Sequence, residues 1–197
     1  MSKAENTRQF IIEKSATLFN MKGYSGTSLT DILLATGLTK GSIYGNFENK
    51  DAVALAVYEY NVKSLLKKIS EFIMDEKSAK GKLIAFTEFY RTNWKGVFEK
   101  GGCPIQNASV EADDNLSFLK KPIQNSIKNL VNYIVKIIEE GQKNGELKTN
   151  IVPLEYAYTI VSVLEGGIML SKIMNNQQLL FAALDRIVII INTEMKK

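Results

Sequence analysis

The chain contains one cysteine and no histidine, so Cys103 is the strongest nucleophile that the sequence offers. Pro104 follows it directly, and proline is favoured in the first turn of a helix. A cysteine at that position lies at the positive end of the helix dipole, which stabilises the thiolate and lowers the pKa of the thiol. Cys103 is therefore a candidate reactive thiol, with a buried structural cysteine as the alternative.

The composition argues against an enzyme. Without histidine the chain lacks the usual general base and the commonest zinc ligand, and a single cysteine forms no internal disulfide and no cysteine cluster. The sequence also has no glycine-rich phosphate loop. An enzyme would have to combine Cys103 with Lys172 or Glu111. We predict instead a protein with no catalytic residues, no metal and no cofactor.

Charge and hydropathy bear on the cellular location of the protein and on its class of partner. Its 197 residues carry a net charge of +4, which fits an anionic partner without requiring one. The N-terminal segment is polar and lacks the apolar core of a secretion signal, and no apolar run is long enough to span a membrane. A single thiol suits a reducing compartment. We predict a cytoplasmic protein that does not contact a membrane.

Helical periodicity runs through nearly the whole sequence, and the alternating pattern typical of strands is not evident. We therefore predict an all-α protein. Pro122 and Pro153 are each expected in the first turn of a helix. A long helix is expected to begin near Lys50, and we place a domain boundary there, between residues 1–49 and 50–197.

Two short helices precede that boundary. Thr27 or Ser28 is expected to cap the first, which ends at Gly37, and Thr39 to cap the second, which ends near Phe47. Gly37 can make the tight turn between them because glycine tolerates a positive φ. The predicted small core consists of Ile32, Leu38, Ile43 and Phe47. The remaining residues of the second short helix are small and polar, which suits a helix that enters the major groove of DNA.

These residues carry a family resemblance. Gly23-Tyr24, Thr27-Ser28, Asp31-Ile32, the run from Gly37 to Tyr44, Phe47 and Lys50-Asp51-Ala52 resemble the N-terminal signature of TetR-family repressors. The resemblance implies a three-helix helix-turn-helix domain that binds duplex operator DNA, followed by a larger helical domain for ligand binding and dimerisation. The residues predicted to meet DNA are Thr27, Ser28, Thr39, Lys40, Gly41, Ser42, Tyr44, Asn46 and Lys50. Glycines 37 and 41 are equally explained as backbone requirements.

The resemblance also implies the role of the C-terminal half. Its last two helices are expected to form a homodimer interface, although their apolar stripes could serve the core of one subunit alone. The middle helices are expected to enclose a small-molecule effector. Aromatic candidates for the cavity wall, each also compatible with ordinary core packing, are Phe86, Phe89, Tyr90, Trp94, Tyr133 and Tyr158.

The segment Gly102-Cys103-Pro104 resembles a stretch in one branch of the family, which includes repressors that sense electrophiles or oxidants through this cysteine. Lys172 matches a lysine of that branch and is expected to pair with the thiolate. The resulting hypothesis is a repressor that releases its operator when it meets a small-molecule or thiol-reactive effector. The alternative from another class is a helical ligand-binding or scaffolding protein that has lost DNA binding.

Overall fold

A computed structural model describes residues 3–114 and 116–197, and the regular elements in these ranges are helices. This confirms the all-α prediction. In chain order they are α1 (Lys3–Lys22), α2 (Leu29–Thr36), α3 (Lys40–Tyr44), α4 (Lys50–Ile73), α5 (Ala79–Glu99), α6 (Pro104–Asp114), α7 (Ser117–Lys143), α8 (Pro153–Ile173) and α9 (Gln177–Ile190). A π-helical turn, Ile191–Met195, continues α9. None of the described helices is both long and apolar enough to cross a membrane.

The chain forms two compact units. The first comprises Met1–Leu65 and Pro104–Ser126, and the second comprises Leu66–Cys103 and Ile127–Lys197. This division falls within α4, after Leu65, whereas the expected boundary lies at the start of that helix, and α6 belongs to the same unit as α1. The functional division at residues 49 and 50 remains a prediction.

Local signals placed most helix ends correctly. Gly23 and Gly37 have φ values of 86° and 68°, and they follow α1 and α2 as C-terminal stops. Pro153 begins α8, as expected. The placement of Pro122 in a first turn is wrong, because α7 begins at Ser117 and carries the proline inside the helix.

The first unit is built around apolar side chains of α1, α2, α3 and α4. Ile11 and Phe19 of α1 are completely buried, as are Ile32 and Ile43 of the two short helices. Phe47 is also buried, so three of the four predicted core residues of the short helices are confirmed. Leu38, the fourth predicted core residue, is only half-buried.

In the second unit α8 and α9 pack closely against each other. A Cβ atom added to Gly167 would lie only 2.6 Å from the Cβ of Ala183, so glycine is required for this approach within one chain. Gly166 has open space instead. Gly167 therefore serves the packing of α8 against α9 within one chain. Arg91 of α5 joins α9 through a 2.5 Å ion pair with Asp185.

Candidate nucleic-acid interface and buried thiol

The first short helix, α2, is fixed at its start by a capping box. Ser28 is the N-cap: its side chain accepts a hydrogen bond from the N–H of Asp31 at 3.1 Å, and its own N–H donates to the Asp31 carboxylate at 2.9 Å. The Lys22 ammonium lies 2.6 Å from the same carboxylate. Lys22, and then the N–H and hydroxyl of Ser28, hold the pKa of Asp31 well below its usual range. The beginning of α2 is thus rigidly held.

The turn between α2 and α3 has the predicted form. Gly37 adopts a left-handed conformation, and its N–H donates to the Leu33 carbonyl at 2.8 Å. Thr39 then caps α3 by accepting a hydrogen bond from the N–H of Ser42 at 3.2 Å. Two short helices joined by a glycine turn form a helix-turn-helix, the motif whose second helix enters the major groove of DNA.

The outer side of α3 is polar and accessible. Tyr44 is 38% exposed, and the Lys40 ammonium lies 5.8 Å from the centre of its ring. The Thr39 and Ser42 hydroxyls are 3.1 Å apart, so both stand at the same edge of the helix. Asn46 donates one amide N–H to the Ser42 carbonyl at 2.8 Å, which leaves its other polar atoms available. Together these groups offer hydroxyls, a cation and an amide to base edges and phosphates.

Two flanking residues have structural roles. Lys50, at the start of α4, donates from its ammonium to the Thr27 carbonyl at 3.0 Å. Thr27 itself is completely buried, and its hydroxyl donates to the Gly23 carbonyl at 2.7 Å. The predicted DNA contact of the Thr27 side chain is therefore corrected, because a buried, hydrogen-bonded side chain cannot reach a duplex. Lys50 is half-buried and keeps an accessible face.

A second cluster surrounds Cys103, in the other unit. The thiol is buried, and the Glu165 carboxyl group of α8 forms a hydrogen bond with it. Although part of the Glu165 side chain is exposed, its Oε2 atom is buried. This burial raises the pKa of Glu165 to about 7, against a smaller opposing effect of the hydrogen bond to Cys103. Burial, followed by the charges of Cys103 and Glu165, also raises the pKa of Tyr90.

Two family models match the chain. The model for bacterial regulatory proteins of the tetR family matches residues 11–57, and the model for the C-terminal domain of tetracyclin repressor-like proteins matches residues 79–187. The second match alone spans more than half of the 197 residues. The chain belongs to the TetR family. Since this family comprises helix-turn-helix transcriptional regulators, the chain is a regulator and not an enzyme.

Proteins that are similar to nearly the whole chain are also named as transcriptional regulators. The HTH-type transcriptional repressor DhaR of Mycobacterium sp. (strain GP1) is 28% identical over 87% of this chain and 85% of its own length. The repressor NemR of Escherichia coli (strain K12) is 22% identical over 95% of each chain. A TetR-family regulator from Cytophaga hutchinsonii has a solved structure that superposes with a TM-score of 0.93, at 35% identity, covering 98% of this chain and 96% of that one.

The lysine predicted to pair with the thiolate makes a different contact in this TetR-family protein. The Lys172 ammonium donates to the Gly101 carbonyl, just after the end of α5. A carboxyl group, Glu165, lies beside the Cys103 sulfur instead, and a nearby carboxylate opposes a second negative charge. The pairing of Lys172 with a Cys103 thiolate stays a prediction, and Glu165 is a further neighbour of the sulfur that the sequence did not indicate.

The aromatic residues predicted for a ligand cavity do not share one site. Phe86, Phe89 and Tyr90 are buried and pack edge-to-face with one another. Trp94 is half-buried and packs against Phe98. Tyr133 is 38% exposed and Tyr158 is 54% exposed, which corrects the placement of Tyr158 in the wall of an enclosed cavity. Tyr133 does line an open pocket of about 240 Å³, together with Ser70, Ile73, Met74, Lys82, Lys136, Ile137 and Glu140.

Sequence reasoning missed Glu165, although a signal was present. It is the only charged residue of α8 between Glu155 and Lys172, in a helix that is otherwise largely apolar. An isolated carboxylate in such a stretch is expected to have a partner or a raised pKa. Among the described residues no cluster of histidine, cysteine and acidic side chains has the form of a metal site.

Proposed function

We propose that this TetR-family protein is a cytoplasmic repressor that binds palindromic operator DNA as a homodimer and releases it when an effector binds or modifies it. The relatives DhaR and NemR are both named as HTH-type transcriptional repressors, which supports the repressive sense. The observation that carries the proposal is the accessible polar side of α3, held by the Gly37 turn.

We assign the DNA contacts to the exposed and half-buried members of the predicted set. Lys40 and Ser42 are placed to reach base edges, while Tyr44 and Lys50 are suited to phosphates. Each of these four side chains keeps an accessible face. The complete proposed set is Ser28, Thr39, Lys40, Gly41, Ser42, Tyr44, Asn46 and Lys50.

The proposed homodimer uses the outer faces of α8 and α9. On α8 the apolar side chains of Met169, Leu170 and Ile173 are 50%, 46% and 75% exposed. On α9 the apolar side chains of Leu179 and Ile189 are 37% and 47% exposed. Such a surface is costly in water and favours burial against a second copy. A dimer also supplies the two recognition helices that an inverted repeat requires.

The proposed effector is a thiol-reactive electrophile or a small molecule. In the first case the Cys103 thiol adds across the carbon–carbon double bond of an activated alkene. The sulfur bonds to one carbon as the π bond opens, and the thiol proton passes through the Glu165 carboxylate to the other carbon. The product is bulkier than the thiol, and a packed interior such as that around Cys103 must rearrange to hold it. In the second case a ligand occupies the pocket beside Tyr133. Either effector acts only if it favours a state with lower DNA affinity.

Selection from a random duplex library tests the central part of this proposal. The wild-type protein is expected to enrich inverted repeats whose half-sites lie about one helical turn apart, or a multiple of it. The Tyr44→Ala/Lys50→Ala variant is expected to enrich nothing. A matched control, Tyr60→Ala/Lys63→Ala, removes the same residue types from α4, at positions outside both the proposed DNA contacts and the pocket beside Tyr133. Enrichment by the Tyr44→Ala/Lys50→Ala variant would place the DNA surface elsewhere.

A further inference from the structure

The loop between α1 and α2 is held by a carboxylate from α6. Glu111 accepts hydrogen bonds from two consecutive backbone N–H groups, those of Tyr24 and Ser25, each at 2.8 Å. One turn earlier on α6, the Asn107 amide donates to the carbonyl and the side-chain oxygen of Asn20, each at 3.1 Å. A distant helix thus binds the end of α1 and the loop after it through four hydrogen bonds.

The loop is shaped to receive this carboxylate. Gly23 has a φ of 86°, and a Cβ atom added there would lie 2.7 Å from Oε1 of Glu111. Gly26 allows a second close approach, because its Cβ would lie 2.4 Å from the Lys22 carbonyl oxygen. Hydrogen bonds from backbone N–H groups to an ionised carboxylate are stronger than those between neutral groups. The two glycines and Glu111 therefore define one conformation of residues 23–26.

This conformation is transmitted to the proposed DNA surface within the same unit. The Thr27 hydroxyl donates to the Gly23 carbonyl at 2.7 Å, and the Thr27 carbonyl accepts the Lys50 ammonium at 3.0 Å. The next residue, Ser28, caps α2. Glu111 is therefore connected to Lys50 through a series of short hydrogen bonds and covalently adjacent residues.

We propose that Glu111 is a positioning residue for DNA binding. It fixes the loop that sets the orientation of Ser28 and Lys50, and it does so without touching the duplex. This inference rests on the proposed function, because it assigns a role in that same DNA surface. Sequence reasoning considered Glu111 only as a possible partner of Cys103 in an enzyme, whereas the structure directs its carboxylate to Tyr24 and Ser25.

The direction of the change in DNA affinity distinguishes a positioning role of Glu111 from a simple charge effect. Loss of a negative charge from a DNA-binding protein weakens its repulsion of phosphates, so Glu111→Gln should strengthen binding if charge alone matters. If Glu111 positions the loop, the same change weakens binding. The glutamine carbonyl can accept one of the two N–H groups, but its amide nitrogen is a donor and cannot accept the other.

The test is fluorescence anisotropy with full-length Glu111→Gln and the duplex selected by the wild-type protein. We expect about tenfold weaker binding, since one charge-assisted hydrogen bond is lost and another is weakened. Glu139→Gln, an exposed residue on α7, removes the same charge and should bind as the wild type does or more tightly. Equal or tighter binding by Glu111→Gln would overturn the inference while leaving the proposed function intact.

Amide hydrogen exchange supplies a second measurement, and its wild-type arm does not depend on the folding of the variant. In the DNA-free wild-type protein the Tyr24 and Ser25 amides should exchange slowly, and in Glu111→Gln they should exchange faster while the amides within α3 keep their wild-type rates. Rapid exchange of both loop amides in the wild-type protein would overturn the inference. Failure of the wild-type protein to select any duplex would instead overturn the proposed function, and this inference with it.

Discussion

Replacing Glu165 by glutamine should change stability in a pH-dependent way. Burial raises the pKa of this carboxyl group from 4.5 to about 7. Between these values the folded protein holds a proton that the unfolded chain has released. Since the folded state then binds more protons, the free energy of unfolding falls as the pH rises from about 4.5 to 7.

The size of the effect follows from the shift. A shift from 4.5 to about 7 corresponds to about 3 kcal/mol of lost stability once the folded carboxylate is fully ionised, above pH 7. Glutamine has nearly the same shape and never ionises. Glu165→Gln should therefore be more stable than the wild type by up to about 3 kcal/mol at pH 8. At pH 4.5 and below, both proteins carry a neutral group and the difference should vanish.

Urea unfolding of both proteins across this pH range measures the difference. Protomer concentration must be the same in every experiment, because dimerisation shifts apparent stability. Glu139→Gln is the control, since this exposed carboxylate should produce no pH-dependent difference. A difference for Glu165→Gln that stays constant with pH, or a wild type that is the more stable protein at pH 8, would refute the assignment of a buried carboxyl group beside Cys103.

Other predictions concern packing, assembly and the thiol. Gly166→Ala should stabilise the protein by about 0.5–1 kcal/mol in thermal unfolding, because alanine favours the helix and the site is open, whereas Gly167→Ala should destabilise it by separating α8 from α9. Ile173→Glu should convert a dimer to monomers in sedimentation experiments and weaken DNA binding, while Met74→Glu, at a similarly exposed apolar residue just after α4, should leave the dimer intact; a monomeric wild type would contradict the proposed interface. Treatment with N-ethylmaleimide should release DNA from the wild type but not from Cys103→Ser, and equal release from both proteins would exclude the thiol as the sensor.

The sequence predicted the features that depend on neighbouring residues. Thr39 as a cap, Gly37 as the turn and Pro153 as a helix start follow from backbone chemistry within a few residues, and the same chemistry limited the cap of α2 to Thr27 or Ser28. Pro122 shows the limit of such signals. Pro122 is the sixth residue of α7, where it removes one intrahelical hydrogen bond, so the helix starts at Ser117 despite this local cost.

The contacts that complete the candidate sites depend on tertiary packing. Glu111 binds amides more than 80 positions earlier in the chain, and Glu165 lies beside a thiol more than 60 positions earlier. No local pattern encodes such pairs. The burial of Thr27 is similar: its residue type suits a phosphate contact, but the packing around the loop turns its hydroxyl inward.

Local sequence patterns also could not predict which of the aromatic side chains are buried and which are exposed. Helical spacing places Phe86 and Tyr90 on one face of α5, which is buried as expected. The same spacing cannot tell whether Tyr133 and Tyr158 face the interior or solvent, because the outcome depends on which helix packs against each face. An exposed tyrosine and a cavity-lining tyrosine have the same sequence signature.

The salt dependence of binding to the selected duplex tests the central claim most directly. Fluorescence anisotropy at several salt concentrations should show tight wild-type binding that weakens steeply as salt rises, since phosphate contacts release counterions. The Tyr44→Ala/Lys50→Ala variant should bind far more weakly and show a shallower salt dependence, while Tyr60→Ala/Lys63→Ala matches the wild type. Wild-type affinity in the Tyr44→Ala/Lys50→Ala variant, or no preference of the wild type for the selected duplex over a random one, would contradict the account.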